Sequence, residues 1–156
     1  MSSRWPSAVA LTMATVSATA SAQQVRELGI QATVTASDPV AGIAGIYGAL
    51  RSSLRTRVSL AAGAGASGGE TAWRGELLVH FLSNPRADRG IGVYGAGGVA
   101  LAGGDGERGY LVLTLGLEAA PGRGSGWFLE AGVGGGVRIA AGLRWRRLAP
   151  AGLLEP

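Results

Sequence analysis

The chain has 156 residues and a formal net charge of +4, and it combines 28 glycines with 47% hydrophobic and only 15% charged residues. This composition is too apolar for a disordered protein and too rich in glycine for long helices, so it favours one β-rich domain. No cysteine is present and all fourteen basic residues are arginine, which excludes disulfides, thiol nucleophiles and catalytic or phosphate-binding lysines. The arginines form no basic block, so no nucleic-acid partner is predicted.

Residues 1–22 have the three parts of a cleavable signal peptide. Arg4 lies in a short basic region, an apolar stretch runs from Ala8 to Val16, and the small residues Ala20-Ser21-Ala22 end the segment. The apolar stretch is too short to span a membrane as an anchor. We therefore predict export of the protein and a mature domain over residues 23–147.

Eight segments of alternating apolar and polar residues follow, separated by clusters of Gly, Pro, Asp and Asn. In chain order they cover about 28–35, 40–51, 54–60, 72–82, 91–101, 108–118, 127–133 and 137–146. The sixth is the clearest, because leucine occupies every second position from Leu111 to Leu117. Alternation with period two places successive side chains on opposite faces of a strand. The even spacing predicts an all-β, eight-stranded antiparallel up-and-down barrel.

The alternation alone does not decide whether the apolar face points into a soluble core or outward into lipid. Three features favour the outward orientation. Small residues such as Gly98, Ala100 and Gly116 line the polar face, as the crowded interior of an eight-stranded barrel requires. Most of the segments have about 9 to 12 residues, which matches the ~9 to 11 of a tilted membrane-spanning strand. Aromatic residues lie near segment ends on the apolar face, as in an interfacial girdle: Trp73, Phe81, Trp127 and Trp145.

With this orientation, the charged residues of the polar face lie in the barrel lumen. They are Arg55, Arg57, Arg74, Glu76, His80, Glu118, Glu130, Arg138 and Arg144. Because unpaired buried charges are costly and eight strands leave no aqueous channel, we interpret them as a structural ion-pair network that plugs the lumen rather than as an ion or ligand pathway. A tight turn at Gly134–Gly136 sets Glu130 diagonally near Arg138, so these two are expected to pair.

From Val25 to about Arg147 the pattern resembles the small eight-stranded outer-membrane barrels, the OmpA-like transmembrane domains and OmpX-like proteins. The resemblance implies an outer-membrane location, with outer-membrane lipid and the barrel-insertion machinery as partners. In that family the last strand carries an insertion signal that ends in an aromatic residue, and Gly142-Leu143-Arg144-Trp145 looks like it. This chain departs from the pattern because it continues into a C-terminal extension over residues 148–156, for which we expect a loose structure.

His80 and Ser83 raise the possibility of an enzyme. Some barrels of this superfamily are lipid A deacylases, with a His and a Ser two positions apart beside an acidic residue on the lipid face. Here the spacing is three and His80 lies on the polar face, which favours a lumen histidine bonded to a nearby carboxylate. The glycine clusters at 95–98 and 132–136 lack the strand-loop-helix context of a nucleotide site, and one histidine gives no metal site. No cofactor is predicted.

The leading hypothesis is therefore a non-enzymatic outer-membrane barrel with a structural or surface role and no defined protein partner. The connections after the odd-numbered segments are short, about 37–39, 65–70, 103–107 and 134–136, which disfavours an adhesin or a receptor. Two alternatives stay open: a soluble periplasmic lipocalin-like barrel that binds an apolar ligand, and a lipid A-modifying hydrolase of the outer membrane.

Overall fold

The structure, a computed structural model, describes residues 25–104 and 106–147. The predicted signal peptide and the C-terminal extension lie outside the described residues. Eight strands make up almost all of the described chain: β1 (Arg26–Ala36), β2 (Ala41–Arg51), β3 (Thr56–Ser67), β4 (Glu70–Leu82), β5 (Ile91–Gly103), β6 (Arg108–Ala119), β7 (Ser125–Val133) and β8 (Val137–Arg147). This part of the chain contains no helix that is long and apolar enough to cross a membrane.

The strands form one closed antiparallel barrel in which each strand pairs with its neighbours in the sequence. The barrel closes where β1 pairs with β8, from Arg26 opposite Arg147 to Ala36 opposite Val137. Closure gives every strand a partner strand on both sides for its backbone hydrogen bonds. The predicted eight-stranded up-and-down barrel is confirmed.

Two of the boundary differences from the sequence prediction change a predicted loop or a predicted lumen residue. β3 continues to Ser67, so the connection to β4 is the two residues Gly68 and Gly69, whose φ angles of 60° and 91° suit a tight hairpin turn. The predicted loop over 65–70 is correspondingly shorter. Leu54 and Arg55 lie in the turn between β2 and β3 rather than on a strand, because β3 begins only at Thr56.

We call the end of the barrel that carries Val25 and Arg147 the terminal end, and the opposite one the distal end. The terminal end holds the connections 52–55, 83–90 and 120–124. The distal end holds 37–40, 68–69, 104–107 and 134–136. Among these, the longest connection, 83–90, therefore lies at the terminal end, beside the two ends of the described chain.

The barrel is apolar outside and polar inside. Large hydrophobic side chains point outward all along the strands, and Leu111 and Leu115 are 80% and 72% exposed. Glu27, Arg57 and Arg138 are at most 1% exposed. Two small apolar groups also lie inside: Leu78, Ala96, Ala100 and Val112 in one, and Tyr47, Ala49 and Ala61 in the other. The arrangement is the reverse of a soluble barrel, in which apolar side chains fill the interior.

Candidate functional site

The buried charges of the described residues converge in the lumen from six strands. Strand alternation explains their placement, because a residue next to an outward-facing one points inward. Leu28 is exposed and its neighbour Glu27 is buried, and Trp145 has the buried neighbours Arg144 and Arg146. The buried charged and histidine side chains are Glu27, Arg57, Arg74, Glu76, His80, Glu118, Glu130, Arg138, Arg144 and Arg146.

One group of these side chains, together with the half-buried Arg51, lies toward the terminal end and is called the terminal cluster. It consists of Glu27, Arg51, Arg57, Glu118, Arg144 and Arg146. Oε1 of Glu27 lies 3.2 Å from Nε of Arg51 and 3.3 Å from Nε of Arg146. Its Oε2 lies 3.2 Å from Nη1 of Arg57 and 3.4 Å from Nη1 of Arg144. A single buried carboxylate therefore partly compensates the charge of four guanidinium groups.

Glu118 is the second carboxylate of the terminal cluster. Its Oε2 lies 3.1 Å from Nη1 of Arg57 and 2.9 Å from Nη1 of Arg144. Nη2 of Arg146 donates to the same oxygen over 3.1 Å. Four arginines thus share two carboxylates, so the terminal cluster carries more positive than negative charge.

Backbone carbonyls supply additional acceptors for this excess. Arg51 donates from Nη1 to the carbonyl of Pro85 over 3.1 Å and from Nη2 to that of Pro121 over 3.0 Å. Nη1 of Arg146 donates to the carbonyls of Ala120 and Arg123, over 3.3 and 2.9 Å. These bonds hold the 83–90 and 120–124 connections against the terminal cluster.

A second group, the distal cluster, consists of Arg74, Glu76, Tyr94, Glu130 and Arg138. Nε of Arg74 donates to Oε1 of Glu76 over 2.6 Å. Arg138 bridges both carboxylates, since its Nη2 lies 3.1 Å from Oε2 of Glu76 and its Nη1 lies 3.5 Å from Oε2 of Glu130. Tyr94 donates to Oε1 of Glu130 over 2.8 Å. Two arginines face two glutamates here, and the predicted Glu130–Arg138 pair is present.

Aromatic rings fill the space around Arg144. The guanidinium carbon lies 4.7 Å from the ring centre of Phe128, 5.7 Å from that of Tyr94 and 6.0 Å from that of Tyr47. Nε and Nη2 of Arg144 make no hydrogen bond within the described residues, so these rings provide cation–π attraction in place of acceptors. Glycine at position 142, opposite Phe128 in the β7–β8 ladder, makes room for the ring where a Cβ would touch it.

His80 forms a buried contact with Ser59 that superficially resembles a nucleophile and its base. Nε2 of His80 lies 2.7 Å from Oγ of Ser59, and Nδ1 lies 3.2 Å from Nη2 of Arg57. A guanidinium group only donates, so Nδ1 must accept and the proton of the neutral ring resides on Nε2. Nε2 then donates to Ser59 and cannot take its proton. The pair is a structural hydrogen bond. The predicted carboxylate partner of His80 is wrong, because the two ring nitrogens contact Ser59 and Arg57 instead.

Ser83, the other serine considered for catalysis, lies away from His80. Its Oγ donates to the carbonyl of Val93 over 2.6 Å at the terminal end, where the residue is exposed. His80 is 1% exposed inside the barrel. The structure therefore does not bring the two side chains together.

A cavity of about 460 Å³ opens at the distal end above the distal cluster. Its rim carries Asp38, Glu70 and Arg108, and its wall includes Arg74 and Tyr110. Arg74 forms part of the cavity wall; its Nη2 donates to the carbonyl of Gly134 over 3.0 Å, and its guanidinium carbon lies 5.9 Å from the ring centre of Tyr110. Arg74, which is 7% exposed, is the member of the distal cluster that borders this cavity.

The structure places eight of the nine predicted lumen residues inside the barrel. Arg57, Glu118 and Arg144 join the terminal cluster, Arg74, Glu76, Glu130 and Arg138 join the distal cluster, and His80 lies beside Ser59. Arg55 was assigned wrongly: it is exposed in the β2–β3 turn, because the alternation was extended beyond the true start of the strand. The four predicted girdle residues, Trp73, Phe81, Trp127 and Trp145, are all exposed on the outer face.

Three charged members of the terminal cluster were missing from the predicted set: Glu27, Arg51 and Arg146. Glu27 lies on the same face of β1 as Gln31 and Thr33, so extending the predicted segment by one residue beyond Leu28 identifies it. Arg146 likewise lies on the same face of β8 as Arg144. Arg51 ends β2, whose mixed and glycine-rich sequence gave no clear alternation.

The fold matches a solved structure. It is similar to the crystal structure of the N-terminal β-barrel domain of Pseudomonas aeruginosa OprF, with a TM-score of 0.62 at 12% sequence identity over 80% of this chain and 100% of that domain. Neither a protein-family model nor a curated protein sequence matches this chain. At this identity the likeness establishes the fold. The resemblance to small eight-stranded outer-membrane barrels is thus confirmed at the level of architecture.

Proposed function

We propose that this protein is an integral outer-membrane β-barrel with a structural role, whose lumen is plugged by the terminal and distal clusters. The reversal of the two faces of the sheet carries this proposal. A continuous apolar outer surface would be unstable in water, whereas in a bilayer it contacts lipid and the closed barrel pairs each strand on both sides. The outward aromatic residues near the strand ends fit the two membrane interfaces.

The arrangement of the lumen supports a plug rather than a channel. Ion pairs, aromatic rings and the carbonyl-bound connections occupy the lumen from the terminal end to the distal cavity. Vesicles reconstituted with the protein should stay impermeable to a small sugar such as arabinose. Permeation at the rate of a general porin would contradict the plug while leaving membrane integration intact.

The same observations weigh against the two alternatives. A lipocalin-like protein needs an apolar interior for its ligand, and this lumen is charged. A lipid A hydrolase needs a histidine that accepts a proton from a serine at the lipid face, whereas His80 donates to a buried serine. Expression of the protein should therefore leave the mass of lipid A unchanged.

Fractionation tests the membrane location directly. The protein should stay with membranes after a carbonate wash and migrate faster in gels before heating than after it. Recovery in the osmotic-shock supernatant would overturn the proposal.

A substitution pair sharpens this test. Leu113→Arg places a charge at the middle of the outer face of β6 and should cost about 2–4 kcal/mol of unfolding free energy in a bilayer. Val137→Arg, at the start of β8, is the matched control and should cost about 0–1 kcal/mol near an interface. In a soluble barrel both substitutions would lie in water and have equally small effects.

A further inference from the structure

The exposed charges of the described residues are divided unequally between the two ends of the barrel. The distal end exposes three carboxylates, Asp38, Glu70 and Glu107, and one arginine, Arg108. The terminal end exposes one carboxylate, Asp88, and six arginines: Arg26, Arg55, Arg86, Arg89, Arg123 and Arg147. The terminal end therefore presents a positively charged collar around the barrel.

Two arginines of this collar face each other directly. Arg26 begins β1 and Arg147 ends β8, and they are opposite one another in the ladder that closes the barrel. Both are exposed, and neither forms an ion pair with a carboxylate in the described part of the chain. Like charges at directly opposite positions repel and destabilise a sheet. An anion bound between them would convert this repulsion into attraction.

The outward neighbours of the arginine pair set its depth in a membrane. Two residues along each strand, Leu28 and Trp145 are opposite each other, both exposed on the outer face. Trp127 lies on the adjacent strand β7, also exposed. Tryptophan prefers the interface at headgroup level, and two residues of strand span roughly 7 Å, so the arginine pair lies at the depth of the lipid phosphates.

A third arginine lies in the same sector. The backbone amide of Arg146 donates to the carbonyl of Gly124 over 2.6 Å, which joins the end of β8 to the turn that contains Arg123. Arg123 is exposed. Guanidinium groups form bidentate, charge-assisted hydrogen bonds with phosphate oxygens, which a tryptophan-flanked cluster of arginines is suited to provide.

We propose that Arg26 and Arg147, with Arg123 beside them, bind the phosphate of an anionic phospholipid in the leaflet that contacts the terminal end. The site takes a phosphodiester headgroup and places its acyl chains along the outer face beside Leu28 and Trp145. The inference rests on the proposed membrane location. It adds a lipid site that holds the β1–β8 closure together electrostatically.

Lipid titration of the full-length mature chain, monitored by native mass spectrometry, tests the site. Phosphatidylglycerol should bind in preference to phosphatidylcholine. Arg26→Gln with Arg147→Gln should reduce that preference at least about fivefold, the effect of removing one arginine from an anionic surface. The matched control is Arg86→Gln with Arg89→Gln, which removes the same charge from the same end in the 83–90 connection and should keep the preference.

Several outcomes would overturn the site. Equal loss in the two double variants would mean a diffuse surface potential instead of a defined site. Displacement of the lipid by millimolar inorganic phosphate would mean a free anion rather than a lipid ligand. Absence of any lipid preference in the wild-type protein would contradict the proposed lipid site. Carbonate-resistant membrane association in the same preparation would show that the proposed membrane location still holds.

A stability measurement distinguishes loss of the lipid site from misfolding of the variant. Removing one charge of a repelling pair should leave the unfolding midpoint of Arg147→Gln unchanged or higher in phosphatidylcholine bilayers. In phosphatidylglycerol bilayers the same variant should unfold at a lower denaturant concentration than the wild type. An equal shift in both lipids would contradict a lipid-dependent role.

Discussion

At the terminal end two carboxylates share four guanidinium groups, and two connections are held against them by backbone carbonyls. At the distal end two carboxylates face two guanidinium groups below an open cavity. Both halves bury charge in one lumen, enclosed by the same eight strands. They differ in how the charge is compensated and in the cavity that opens beside the distal half.

This difference indicates that the two halves contribute unequally to stability. Where water is excluded, removal of one carboxylate leaves several charges without compensation. Where a cavity is near, water can hydrate a group that has lost its partner. The terminal cluster should therefore be the less tolerant of substitution, and its carboxylates the least replaceable side chains of the lumen.

Substitution of Glu27 should have the largest effect. Glu27→Gln removes the charge that four arginines share, and Glu118 alone remains to compensate them. We expect a loss of about 3–5 kcal/mol in unfolding free energy, measured by urea titration of the protein refolded in vesicles. Glu70→Gln, the same change at the exposed start of β4, is the control. A loss below about 1 kcal/mol for Glu27→Gln, typical of a surface pair, would contradict the comparison.

Substitution of Arg138 should have a smaller effect. In Arg138→Leu, Glu76 keeps its pair with Arg74 and Glu130 keeps the hydrogen bond from Tyr94. The loss should therefore stay below the about 3–5 kcal/mol of an uncompensated buried charge, but the unfolding temperature should fall. Arg108→Leu at the exposed start of β6 is the matched control. An unchanged unfolding temperature for Arg138→Leu would disprove its bridging role.

The contact between Ser59 and His80 should matter less again. Ser59→Ala removes one buried neutral hydrogen bond and should cost about 1 kcal/mol. Ser125→Ala, on the exposed side of β7, should have no measurable effect on the same urea titration. Indistinguishable midpoints for the two variants would show that His80 has another partner.

Strand number and topology could be predicted from the sequence, because both follow from local alternation and its even spacing. The reversal of the faces could be predicted from other features: the small residues of the polar face, the length of the segments and the positions of the aromatic residues. The residues from Leu111 to Leu117 and from Val137 to Trp145 alternate without interruption. The alternation therefore predicts correctly which face of the strand each side chain occupies. The alternation fails where a strand begins or ends, because it does not show where the strand stops. Arg55 is two residues from Arg57 but lies before the start of β3, so it is not in the lumen. Glu27 lies just inside the start of β1 and is in the lumen.

The grouping of the lumen charges into two clusters could not be predicted. It depends on contacts between strands distant in sequence, such as Glu27 with Arg144 and Arg57 with Glu118. Sequence alternation shows which face a side chain occupies but not which residue it meets across the lumen. Only the hairpin pair Glu130 and Arg138 was accessible, because the turn at Gly135 fixes the register of its two strands.

Cysteine labelling probes the comparison with the smallest disturbance of the protein. The chain has no cysteine, so a single introduced thiol gives the whole signal. Ala102→Cys lies in the wall of the distal cavity and should react with a membrane-impermeant maleimide. Ala49→Cys lies opposite Glu27 in the β1–β2 ladder and is 6% exposed at the wild-type alanine, so it should react only after unfolding. Equal labelling of both would mean that solvent reaches the terminal cluster as well. Labelling of Ala102→Cys in intact cells would further establish that the distal cavity faces the exterior, and that the arginine collar therefore faces the periplasm.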